Sequence, residues 1–202
     1  MGGLKVFAHG VNNHNHQLTK LGASRRFFIK TGLSACTLLA LPAAYARKPK
    51  TSIKQPVKEL SLLNLHTGER VKSIYWEKGR YIPSVLRDIE KILRDHRTGR
   101  THAIDLRLLD ILQLLSSRMG AKKEFQVVSG YRSPETNKML ALHNSGVAKQ
   151  SLHMQGKAID IRLPEFSLAD LRKAALSLKV GGVGYYPDSN FIHLDTGHVR
   201  YW

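Results

Sequence analysis

The sequence predicts an α+β fold built as one domain. Segments with partial two-residue alternation lie near both ends of the region 58–202, and longer segments with a helical apolar period lie between them. Of 202 residues, 42% are hydrophobic and 23% charged. Once an N-terminal leader is set aside, the length left suits a single core.

The leader comes first in the chain. Ser24, Arg25 and Arg26 stand before Phe28 and Lys30, followed by a mildly apolar run at 31–41 and a small-x-small site ending at Ala46. The run matches a twin-arginine export signal at each position but one apolar exchange, so cleavage is expected after Ala46 and delivery to the periplasm. A membrane span is excluded by its shortness and by Gly32, Ser34 and Pro42. Leu33 to Cys36 also resembles a lipoprotein cleavage box, which makes lipid anchoring at Cys36 a minor alternative. Cleavage after Ala46 would remove Cys36, the single cysteine, and leave no thiol in a disulfide-forming compartment.

Residues 1–46 hold Lys5, Lys20, Arg25, Arg26 and Lys30 and no acids, so removing them takes the net charge from +17 to +12. Such a basic surface favours polyanions. Export and the absence of any nucleic-acid motif disfavour nucleic acid and leave an acidic wall polymer or anionic lipid. A monomer is expected.

Residues 47–57 are basic and carry Pro49 and Pro56, the pattern of a mobile arm before a domain at 58–202. Residues 60–65 and 71–76 alternate around a turn with Gly68, which predicts a hairpin, with Trp76 and Tyr81 packing it on the core. His66 reads as a turn residue. Pro83 opens a helix whose Val85, Leu86, Ile89, Ile92 and Leu93 share one face. A polar connector at 94–102 follows, with His96 and His102 as surface residues. A second helix is expected at 103–119, stopped by Gly120, with Asp105 and Asp110 as solvated or capping residues.

The chemistry begins after that helix. Residues 124–128 form a short strand, and Ser129 and Gly130 turn the chain so that Tyr131 and Arg132 emerge at its end. Pro134 starts a helix to about residue 142, and 146–150 is a loop leading to Ser151 and His153. Residues 157–162 alternate as a strand that sets Asp160 apart from Ile159 and Ile161. A carboxylate flanked by two isoleucines needs a partner, and a metal ion is one of the few that suffice. Ser167 caps a helix that buries Leu168, Leu171, Ala175 and Leu178. Strands at 180–186 and 191–195 follow, the second placing Phe191, His193 and Asp195 on one face. His153, Asp160 and His193 are the ligand types of a catalytic zinc with a fourth position open. Arg132 is suited to a substrate carboxylate or to the oxyanion formed when water adds to an amide.

Three motifs carry a family resemblance: S-G-Y-R-S at 129–133, S-x-H-x-x-G-x-A-x-D at 151–160, and H-x-D-T-G at 193–197. Together they resemble the LAS-type zinc peptidases of the D-Ala-D-Ala carboxypeptidase group, most closely the exported murein endopeptidase K subfamily. The resemblance covers 129–202 in motif and about 61–202 in outline. It implies a central antiparallel sheet with helices packed against it, the LAS/hedgehog-type core. It also implies one Zn2+ held by His153, Asp160 and His193, with Arg132 steadying the substrate. The implied substrates are the peptide crosslinks of peptidoglycan, cut by a metal-activated water. Tyr131, Arg132 and Ser151 are assigned to substrate binding.

Many relatives of that kind carry the general-base acid three residues before the last histidine, where this chain has Asn190. Asp195 is the expected substitute and Asp188 the fallback; Asp195 could instead orient a histidine. The competing functions are a D-alanyl-D-alanine carboxypeptidase and a non-catalytic zinc-containing wall-binding module.

Overall fold

A computed structural model describes residues 56–143 and 146–202. The expectations for the leader, Cys36 and nearly all of the basic arm lie outside the described residues. Eight strands form one sheet: β1 (Val57–Asn64), β2 (Arg70–Glu77), β3 (Arg80–Tyr81), β4 (Phe125–Ser129), β5 (Ala158–Arg162), β6 (Gly182–Tyr186), β7 (Phe191–Asp195) and β8 (Arg200–Tyr201). Their order across the sheet is β3-β2-β1-β4-β5-β7-β6-β8. Among the described residues there are four α-helices, α1 (Pro83–Ile92), α2 (Leu106–Met119), α3 (Pro134–His143) and α4 (Leu168–Leu178), so the class is α+β. None of them is long and apolar enough to cross a membrane.

The sheet is mixed, which corrects the expected antiparallel one. β1 and β4 pair in parallel, as do β6 and β8, and the other joins are antiparallel. Between β1 and β4 the chain passes through α1 and α2, a crossover long enough to bring it back in the same direction. Between β7 and β8 a short link steps past β6, and β8 joins its outer edge.

Helices α1, α2 and α4 pack on the sheet. From the strands Leu60, Leu62, Phe125, Val127, Ile159, Ile161, Ile192 and Leu194 are buried, and from the helices Ile89, Leu108, Leu109, Leu112, Leu115 and Leu171. Each such aliphatic side chain contributes about 1.5–3 kcal/mol by leaving water. Because strand side chains alternate, burying Ile159, Ile161, Ile192 and Leu194 in this core turns Asp160 and His193 to the opposite face.

Helix α2 starts three residues later than its periodicity suggests. Asp105 caps it, accepting from the Arg107 amide at 3.0 Å, while its own amide donates to the Gly156 carbonyl at 2.9 Å. Residues 103–105 are thereby held extended against the segment that carries His153. Asp110 is only partly solvated: it accepts from Lys58 and from the hydroxyls of Tyr75 and Tyr81, tying α2 to β1, β2 and β3.

Candidate metal centre

β5 and β7 pair antiparallel with Asp160 opposite His193. Cross-strand neighbours on one face lie about 4.5–5.5 Å apart at Cβ, so the pairing alone brings this carboxylate and imidazole together. His153 comes from a 3-10 turn at Leu152–Gln155, capped by Ser151 and closed by Gly156 at φ 64. Gly156 is required there twice over, by its positive φ and because a Cβ would lie 2.1 Å from the Ala103 carbonyl oxygen.

The three side chains converge. His153 Nε2 and His193 Nδ1 are 3.2 Å apart, His153 Nε2 and Asp160 Oδ1 3.2 Å, and His193 Nδ1 and Asp160 Oδ1 2.9 Å. Their other polar atoms are already engaged. His153 Nδ1 lies 2.7 Å from the Gly130 carbonyl oxygen, which can only accept, so this nitrogen carries the proton. His193 Nε2 lies 3.0 Å from Asp195 Oδ2 and likewise donates. Neutral imidazoles so arranged aim two lone pairs and a carboxylate oxygen at one point. Three acceptors this close repel unless a cation or a proton sits among them. The edges of a tetrahedron with ligand arms of about 2.0–2.1 Å are about 3.3 Å long, close to the observed spacing, so the residues fit a zinc-sized ion.

The electrostatics agree. Burial works against the charge of Asp160, but the two histidines outweigh it and hold the carboxyl well below the usual carboxylate range. For His193, burial favours the neutral ring, while Asp160 and Asp195 together raise its pKa.

Asp195 is the expected general base, with orienting a histidine as its alternative role. Its side chain is fully buried. It accepts from the amides of Gly182 and Gly197 at 3.0 and 2.9 Å, from Arg200 at 3.0 and 2.6 Å, and from His193. Burial would raise its pKa, and these donors more than reverse that. Five donors already engage its two oxygens, which favours the alternative role of a partner that orients His193. The fallback, Asp188, is exposed in the turn between β6 and β7 and does not line the cleft. Asn190 serves that turn, at φ 53 with its amide bonded to the Pro187 carbonyl.

A cleft of about 510 Å³ opens over the cluster, lined by Arg132, Ser151, His153, Asp160, Tyr186, Phe191, His193 and Trp202 among others. Arg132 is largely buried but loosely held, at 3.5 Å from Asp160 Oδ2, 3.3 Å from Ser129 Oγ and 3.5 Å from Asn137 Oδ1. Burial lowers its pKa against the opposing pull of Asp160. A desolvated guanidinium with long hydrogen bonds still has capacity for an anion. Ser151 lines the cleft and also caps the 3-10 turn. Tyr131 does not reach the cleft: it is buried and stacks on His102 at 4.8 Å. Successive extended residues point opposite ways, so the turn that aims Arg132 outward aims Tyr131 inward.

Several residues of the site escaped the sequence reading. Asp95, in the connector before α2, is 2% exposed and accepts from the Ser133 amide at 2.8 Å, which fixes the segment bearing Arg132. Asn137 on α3 donates to the Ala148 and Lys149 carbonyls and so holds the loop that walls the cleft. Trp202 lies 5.3 Å from the His193 ring, in space left by Gly184, where a Cβ would be 2.7 Å from the indole. Glycines inside a strand mark such close approaches, and the run Gly181, Gly182, Gly184 was the available sign.

Three comparisons bear on this arrangement. A family model described as peptidoglycan L,D-endopeptidase MepK matches residues 52–202. The chain is 41% identical over 188 residues to the peptidoglycan L,D-endopeptidase MepK of Escherichia coli, covering 92% of this chain and all of that protein. It is 37% identical over 183 residues to a probable peptidoglycan L,D-endopeptidase MepK of Haemophilus influenzae, covering 89% of this chain and 95% of that one. No solved structure is a significant match.

Proposed function

The chain belongs to the peptidoglycan L,D-endopeptidase MepK family, and from that premise we propose that it hydrolyses peptide crosslinks of peptidoglycan with a zinc ion held by His153, Asp160 and His193. The observation that carries the metal is the convergence of those three acceptor atoms, each placed by a hydrogen bond or a strand register. The same donor set occurs in non-haem iron oxygenases; membership of a peptidase family decides for hydrolysis.

Zinc bound there supplies a water of lowered pKa and an electrophile for the scissile carbonyl. The protein's own contribution is positional. Gly130 and Asp195 keep each imidazole in the tautomer that faces the ion, and Asp160 stays ionised beside them. Arg132, close to Asp160 and open to the cleft, offers its guanidinium to a substrate carboxylate or to the oxygen that gains charge as the amide is attacked. Among the described residues no carboxylate other than Asp160 lines the cleft.

The twin-arginine leader, cleaved after Ala46, exports the domain 58–202 to the periplasm, and the basic arm at 47–57 together with the charge of +12 favours the acidic wall. The protein acts as a monomer.

The test is digestion of purified crosslinked muropeptides by the mature protein, followed by chromatography and mass spectrometry, with and without a chelator. Conversion of dimers to monomers, stopped by the chelator and restored by zinc, is the expected result. Release of terminal D-alanine alone would make it a carboxypeptidase, and binding without any new product would make it a wall-binding module.

A further inference from the structure

Strand β6 brings one more polar group to the cleft. Tyr186 pairs with Phe191 on β7 and stacks on its ring at 4.6 Å. One step along the same face, Gly184 pairs with His193. The empty position at Gly184 is filled by the Trp202 indole, which lies 5.3 Å from the His193 ring. Trp202 Nε1 donates to the Tyr186 hydroxyl at 2.8 Å. This bond ties the hydroxyl to the ring that lies beside His193 in the cleft lining.

The bond also sets which way the hydroxyl faces chemically. An indole N–H can only donate, so it occupies a lone pair of the phenol and leaves the phenol's own proton to find an acceptor. Among the described residues none accepts it, although Tyr186 is half-buried and lines the cleft with Arg132 and the metal ligands. The Arg200 guanidinium, itself fixed by Asp195, lies over the Trp202 ring at 5.0 Å and steadies the indole. A hydrogen-bond donor that is oriented, partly desolvated and without a partner is built for a ligand.

We propose that the Tyr186 hydroxyl, aimed by Trp202, donates a hydrogen bond to an oxygen of the bound peptide beside the metal centre and is a substrate-contacting residue of this site. The inference rests on the peptidase reading given above. The acceptor is a carbonyl or carboxylate oxygen of the peptide; an ammonium or an apolar group has no use for the donated proton.

The experiment uses the mature protein and crosslinked muropeptide dimers, with three variants: Tyr186→Phe, Trp202→Phe and the double variant. Turnover by the unmodified protein tests the peptidase reading by itself: its absence would overturn that reading and this one with it, whereas turnover that the variants leave unchanged would overturn this one alone. Tyr186→Phe keeps the ring stack and removes one oxygen. Zinc content and melting temperature should stay as in the unmodified protein, while kcat/KM falls about three- to tenfold if the acceptor is a carbonyl and by more than about tenfold if it is a carboxylate. Trp202→Phe should lower kcat/KM by a smaller factor. The double variant should be no worse than Tyr186→Phe, because both changes remove one interaction. Calorimetric binding of a phosphinate analogue of the peptide should weaken in parallel. If Tyr186→Phe keeps kcat/KM within twofold, or if the two losses multiply in the double variant, the assignment is overturned.

Discussion

Beside the β1–β2–β3 end of the sheet, Asp110 receives the Lys58 ammonium at 2.8 Å and the hydroxyls of Tyr75 and Tyr81 at 2.9 and 3.0 Å. On β5, Asp160 meets the His193 and His153 nitrogens at 2.9 and 3.2 Å. Both carboxylates gather three or more elements of the fold, but the wiring is opposite. Around Asp110 every neighbour donates, so the cluster is complete as it stands and its product is cohesion. Around Asp160 the imidazole protons are spent elsewhere, on Gly130 and Asp195, and what converges are lone pairs. The difference teaches how to separate a structural carboxylate from a ligating one: ask where the partners' protons are committed, and whether any cation remains to be supplied.

The sharpest way to break this contrast is to remove an acceptor from the second cluster. His153→Ala or Asp160→Ala leaves two ligands, too few to keep the ion. Both zinc retention, measured by elemental analysis of the purified protein, and muropeptide cleavage should be lost, activity by at least about a thousandfold. An active, zinc-free His153→Ala protein would show the centre to be no metal site. Next in size is Asp195→Asn. If Asp195 only orients His193, zinc affinity or activity should fall about 10–100-fold and remain measurable. Complete loss of turnover with zinc still bound at full affinity would return Asp195 to the chemistry.

The contrast also marks what the sequence could and could not disclose. Alternation told that Asp160 stands apart from Ile159 and Ile161, and that His193 shares a face with Phe191 and Asp195; both follow from the two-residue period. It told nothing of what Asp195 touches, because Gly182, Gly197 and Arg200 reach it through the β6–β7 pairing and the link to β8. Asp95 and Ser133 are 38 residues apart, and nothing local marks the pair. The parallel joins were missed for the same cause: a strand's own pattern records which face is wet, not the direction of its neighbour. β3 and β8, at two residues each, are too short to show a period at all. Asp110 looked solvated because helical spacing gives its face but not the hydroxyls descending from β2 and β3.

Between the two clusters stands Asp95, donor-fed like Asp110 but attached to the segment of Arg132. Burial would raise its pKa; hydrogen bonds from Ser133, Thr136 and the Arg97 amide outweigh it and hold the carboxyl well below the usual range. A folded-state pKa below the unfolded one contributes stability that is present above the unfolded value, near 3.9, and is lost as pH falls toward the folded value. Asp95→Asn should therefore cost about 1–3 kcal/mol at pH 7. The gap to the unmodified protein should narrow as pH falls below about 4. Urea unfolding at a series of pH values reads this directly; a gap that stays constant into acid would show that the charge of Asp95 contributes nothing.

The smallest effect belongs to the purely structural hub. Lys58 and Asp110 are each about a third exposed, so solvent screening keeps their pair within the modest range of surface ion pairs. The two tyrosine hydroxyls add about 0.5–1.5 kcal/mol each when properly accepted. An asparagine at 110 can still accept from one of them, and its amide must face the Lys58 ammonium or the other hydroxyl. Asp110→Asn should thus lower stability by about 1 kcal/mol, a melting shift of about 3 °C for a domain of this size, with zinc content and kcat/KM within twofold of the unmodified protein. A larger loss of activity than of stability would mean that the hairpin end of the sheet reaches the cleft through α2 and the Asp105 to Gly156 bond, and the two clusters would then be one mechanical unit.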